Sequence, residues 1–107
     1  STKSYDTYVR IEAVASDSWN KYRLFTWSKI APNAEAFCSA LDQLGTKDVI
    51  IEIDNQSFTG NIDLERSRVT RARSLMDYVK KTYGNITGKK VIFTFDILTK
   101  RIIMEIL

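Results

Sequence analysis

The chain has 107 residues, 44% hydrophobic and 27% charged, which suits one domain with its own core and argues against disorder. Sixteen Lys/Arg against thirteen Asp/Glu give a formal net charge of +3, with no histidine and a single cysteine, Cys38. These absences exclude imidazole-activated nucleophiles, the usual zinc ligand sets within one chain, and an intrachain disulfide.

No apolar run approaches the ~18 residues of a membrane span, and no N-terminal segment reads as a signal peptide. The chain starts at Ser1, so a removed leader or a longer parent protein stays open. A lone cysteine suits a reducing, cytoplasmic-type compartment. Charge is unevenly placed. Residues 1–60 carry six Lys/Arg and eight Asp/Glu, whereas residues 61–107 carry ten and five. A local basic field attracts anionic partners whatever the fold.

Residues 5–14 read as a strand, with Tyr5, Thr7, Val9, Ile11 and Ala13 on one face. A turn-rich break at 17–20 precedes a second strand at 21–28, so these two are expected to form a hairpin. Pro32 suits a helix start. Phe37, Ala40, Leu41 and Leu44 then recur at i, i+3, i+4, i+7, with Gly45 as the stop. Val49, Ile51 and Ile53 alternate with Ile50, Glu52 and Asp54 in a third strand.

A long second helix is expected from Asp63, a good N-cap residue, to Gly84, on the stripe Val69, Ala72, Met76, Val79 and Tyr83. At 100° per residue, Arg66, Arg73 and Lys80 stack along one edge of that stripe. Arg68 falls on its buried side, so it snorkels, pairs with an acid, or the helix starts later. Val91–Leu98 and Arg101–Leu107 form a terminal hairpin around Thr99-Lys100.

The element order expected is ββαβαββ, a single α+β domain over 1–107. Its architecture would be a two-layer sandwich with a mixed five-stranded sheet and both helices on one face. Right-handed crossovers would make strands two, three and four mutually parallel.

Several constellations carry candidate chemistry. The segment 61–84 holds six cations against three anions, which suits contact with backbone phosphates. A solvated helix face is the competing interpretation. The candidate binding set is Lys29, Arg66, Arg71, Arg73, Lys80, Lys81, Lys89, Lys90, Lys100 and Arg101. Trp19, in a turn, is the candidate stacking residue, while Phe25 and Trp27 are expected in the core. Glu52, Asp54 and Asp96 could gather around Mg²⁺ for phosphodiester hydrolysis, with solvated strand ends as the competing explanation. Isolated glycines give no nucleotide-cradling loop. Cys38 reads as a structural thiol, and no cofactor is expected.

In element order, residues 21–107 resemble the Alba chromatin and RNA-binding family. They share a strand running into Lys29 before the first helix, and an Arg-bearing second helix before a terminal hairpin. The C-terminal domain of bacterial translation initiation factor three has a similar order. The chain departs from the Alba pattern. It has Lys29 alone where that family has paired lysines, Asn55-Gln-Ser-Phe-Thr-Gly60 in place of a glycine-bearing basic motif, and a short final turn. The resemblance implies nucleic-acid binding and is one of topology.

The function expected is a non-catalytic binding module for RNA or DNA through the basic second helix. A protein-interaction domain of inhibitor, immunity or adaptor type, meeting an acidic partner, stands beside it, and a Mg-dependent nuclease is third. A homodimer through a sheet edge is also open, and no membrane partner is expected.

Overall fold

A computed structural model describes residues 7–17, 25–26, 34–65 and 68–107. Among these, seven strands make one mixed sheet: β1 (Tyr8–Val14), β2 (Phe25–Thr26), β3 (Asp48–Ile53), β4 (Gln56–Asp63), β5 (Arg68–Thr70), β6 (Lys90–Asp96) and β7 (Arg101–Ile106). Two helices, α1 (Ala34–Leu44) and α2 (Arg73–Tyr83), interrupt them. The spatial order is β1-β6-β7-β3-β4-β5-β2. Of these described strands only β3 and β7 pair in parallel; every other neighbour is antiparallel.

Alternation puts one set of residues inward across the sheet. Val9, Phe95, Ile102, Ile51 and Phe58 lie side by side in register, followed by Ile11, Phe93 and Met104. Helix α1 lays Phe37, Ala40, Leu41 and Leu44 on this face, and α2 adds Leu75, Met76 and Val79 to the same core. Phe37 meets Phe93 and Phe95 edge-on, with ring centroids 4.7 and 5.0 Å away. Such T-shaped contacts add about 0.5–1.5 kcal/mol each beyond the area they bury. No buried residue among those described is polar or charged. No described helix is long and apolar enough to cross a membrane.

The α+β class, the mixed sheet, α1 with its Gly45 stop and the β6–β7 hairpin all match expectation. Gly45 takes φ 62°, the left-handed position that ends a helix without a Cβ penalty. Four expectations are corrected. First, the described sheet has seven strands, in the order ββαβββαββ. The long second helix is only its C-terminal half: Asp54 and Asn55 both take positive φ (51° and 62°) and turn the chain back into β4, and β5 then pairs with β4 where the first part of the helix was expected. That pair of left-handed residues is the geometry of a two-residue hairpin turn.

Second, β1 and β2 form no hairpin. They lie at opposite ends of the sheet, β1 against β6 and β2 against β5. The stretch 15–24 separates them, far longer than a tight hairpin loop of about two to five residues. Third, the strands expected to be mutually parallel are not: β6 is antiparallel to β7, which runs parallel to β3, and β2 is antiparallel to β5, which runs in the direction of β3. Fourth, the element order shared with the Alba family does not hold, since two strands stand where its second helix would start.

Gly60 makes this arrangement possible. A Cβ there would lie 2.9 Å from Val69 Cγ1. Glycine therefore lets β5 close on β4 and seat the fully buried Val69.

Candidate nucleic-acid interface

The shortened helix disperses the basic cluster. Arg68 lies in β5, opposite Asp63 of β4 in register. Arg71 follows in the β5–α2 link, so only Arg73, Lys80 and Lys81 remain on α2, with Asp77 among them. Arg73 Nε lies 3.9 Å from Asp77 Oδ2, one turn along the helix. Lys80 and Lys81 occupy the last turn, where cations complement the helix dipole. The α2 cations thus have structural uses of their own. Lys29, Arg66 and Trp19 lie outside the described residues, as do Trp27 and the side chain of Phe25.

Lys89 and Lys90 stand at the start of β6, and Lys90 Nζ lies 3.7 Å from Glu12 Oε2. Lys100 and Arg101 lie beyond its far end. At a rise of ~3.4 Å per residue, the two pairs are separated by roughly 20 Å. That exceeds the ~8 Å screening length at physiological salt, so they act as separate fields. Arg101 hydrogen-bonds and ion-pairs with Glu52 across the β7–β3 boundary, and both side chains are partly shielded.

One place does bring candidates from distant segments together. Arg71 and Lys100 line an open depression of about 500 Å³ beside the starts of β3 and β7. Asp48, Thr59, Asn61 and Thr99 share its wall, with backbone at Gly60. Asn61 Nδ2 donates to Asp48 Oδ1 at 2.6 Å, which orients the amide and partly neutralises the one carboxylate there. Arg71 (φ 56°) and Lys100 (φ 60°) are both exposed, and both hold left-handed backbone. Residues other than Gly, Asn and Asp rarely adopt it, at a cost of about 1–2 kcal/mol each. Left-handed backbone of this kind is found at functional positions as well as in tight turns such as the one that holds Lys100.

The carboxylates are engaged by the protein itself. Asp54 Oδ2 accepts hydrogen bonds from Tyr78 Oη at 2.7 Å and Tyr83 Oη at 2.6 Å. Those two bonds hold the Asp54 carboxyl below the usual carboxylate range, Tyr83 contributing most. The same contact pushes the Tyr83 phenol up to about 12. Asp96 accepts from the Thr99 amide at 3.1 Å and closes the β6–β7 turn. Its carboxyl is lowered chiefly by hydrogen bonding to Thr99. Glu52 and Asp54 do line a second depression of about 370 Å³, with Tyr83 and Glu105, but Asp96 is not part of it. Among the described residues no group of three His, Cys, Asp or Glu could hold a metal ion.

Cys38 is half-buried on α1 against the core. Burial, and then Glu35, raise its thiol, which disfavours the reactive thiolate.

Sequence reasoning missed Asp48, Thr59, Asn61 and Thr99 as neighbours of Arg71 and Lys100. They come from three separate stretches, and no local spacing joins them. Comparison with protein-family models, curated proteins and solved structures finds no match to this chain.

Proposed function

We propose that the protein is a small non-catalytic module that binds single-stranded nucleic acid, RNA in the first instance, through its phosphate backbone. The observation that carries this is the pairing of Arg71 and Lys100, two exposed cations on left-handed backbone, at the rim of one open depression. Each cation can neutralise one phosphate, while Thr59, Thr99 and Asn61 offer hydrogen bonds without reading sequence. The contacts are few, so the salt dependence is shallow. Two neutralised phosphates on a single strand give a log–log slope on the order of −1.4, against roughly −4 for the six cations of an unbroken basic helix.

The test is binding of a labelled RNA oligomer across a salt series. The expected outcome is a slope near the smaller value that approaches zero when Arg71 and Lys100 are both replaced by glycine. No binding at low salt, or a slope that ignores both replacements, overturns the proposal.

A second reading rests on α2. Its exposed Arg73, Lys80 and Lys81 give the helix a net +2 with Asp77, which suits an acidic protein surface. Charge reversal of these three would abolish that partnership and leave RNA binding at the depression intact.

A further inference from the structure

The depression between Arg71 and Lys100 follows one row across the sheet. Val49 pairs with Gly60 in register. Extending the β3–β7 register by one residue sets Lys100 level with Val49, and extending the β4–β5 register sets Arg71 level with Gly60. The two exposed cations therefore close opposite ends of the same row. Their backbones stand three strand spacings apart, roughly 14 Å. Long side chains reaching inward from both ends leave the middle for a single base, with a phosphate on each side of it.

Phosphate contacts carry no sequence information, but the middle of the row has chemistry of its own. Val49 and Ile51 turn into the core, so Asp48 and Ile50 face outward, opposite Asn61 and Thr59 of β4. Half-buried Ile50 offers a base an apolar seat. Beside it stands the exposed Asp48 carboxylate. The Asn61 amide donates to Asp48 Oδ1 at 2.6 Å and takes one of about four lone-pair sites. Among the described residues no ion pair engages this carboxylate. A carboxylate repels phosphates, so its place on this wall calls for a contact that needs it.

An ionised carboxylate only accepts hydrogen bonds, through two oxygens side by side. Among the RNA bases, guanine alone sets two donors next to each other on its pairing edge, N1–H and the exocyclic N2–H. Uracil sets N3–H between two carbonyl oxygens. Adenine and cytosine set their amino group beside an unprotonated ring nitrogen. Each of these three brings a lone pair to the place where guanine has its second donor. Single-stranded RNA leaves that edge free to be read.

We infer that the depression holds one guanine of a single-stranded RNA, read by the Asp48 carboxylate through N1–H and N2–H, with the flanking phosphates on Arg71 and Lys100. This rests on the nucleic-acid reading above and adds a base preference to it.

Uridine oligomers carrying guanine, adenine, cytosine, inosine or uracil at one central position test it in a binding titration at low salt. The guanine oligomer is expected to bind about tenfold more tightly than those with adenine, cytosine or uracil. Inosine, which is guanine without its exocyclic amine, should fall back toward them. Asp48→Asn should level the series and tighten the uracil oligomer, because a negative charge beside the phosphates is gone. Equal affinity for guanine and uracil, with a salt slope still set by Arg71 and Lys100, overturns the inference alone. Inosine bound as tightly as guanine, or a guanine preference that survives Asp48→Asn, does the same. No binding to any oligomer overturns it together with the reading on which it rests.

Discussion

Asp54 does two jobs with one residue. Its backbone takes the left-handed turn that launches β4, and its carboxylate ties that turn to Tyr78 and Tyr83 of α2. Replacement by asparagine separates them, because asparagine also tolerates left-handed backbone but carries no charge. In Asp54→Asn, Tyr83 should ionise well below its wild-type value of about 12 and return toward the ordinary tyrosine range. A spectroscopic titration of tyrosinate reads this directly. The pH dependence of stability follows the same bonds. The lowered Asp54 carboxyl contributes stability above the usual carboxylate range, lost as pH falls through its folded value. The raised Tyr83 phenol contributes stability below ~10, lost as pH rises through its folded value. Lys100 gives a prediction of opposite signs. Lys100→Gly should leave the melting temperature unchanged or raise it, because glycine accepts φ 60° freely, while RNA binding weakens. Calorimetry and a binding titration on the same sample check both halves.

The elements differ in how plainly the sequence announces them. The β6–β7 hairpin was legible because Val91, Phe93 and Phe95 recur at every second position and Thr99-Lys100 supplies a turn. The α1 stripe was legible for the same reason at helical spacing. Strand β4 hid because its inward row is Phe58, Gly60 and Ile62, and a glycine where a large apolar residue belongs breaks the pattern. The Asp54-Asn55 turn was the available cue, since that pair suits two consecutive left-handed residues. The apparent helical stripe began at Val69 by coincidence. Val69 is buried as a strand residue, and Ala72 then serves as the α2 N-cap without a side-chain bond. Arg68 was the warning: a cation on the buried side of the expected helix meant that the helix begins later. Gly60 carries the prediction for this scale. Gly60→Ala must displace Val69 Cγ1 from 2.9 Å, and such overpacking costs about 1–3 kcal/mol. At roughly 4–8 °C per kcal/mol for a domain of this size, thermal unfolding should reveal it.

At the scale of the molecule, a half-chain charge excess has become several small fields. Lys89 and Lys90 lie at one end of β6, Lys100 and Arg71 beyond the other, and the α2 cations on a separate element. A summed charge of +3 was readable at once, but its distribution depended on a sheet order that local patterns do not encode. The candidate site was therefore legible as a residue list and illegible as a place.

The pairing of β1 with β6 has a consequence for how the protein is made. Val9 sits opposite Phe95, and Ala13 opposite Val91, so the first described strand meets its partner only near the end of the chain. A ribosome adding about 5–20 residues per second takes on the order of ten seconds to cover that gap. Throughout that interval β1 has neither β6 on one side nor a completed core beneath it. Its early lifetime is spent as a loose edge bearing Arg10 and Glu12, charges that discourage casual strand addition until the native neighbour emerges.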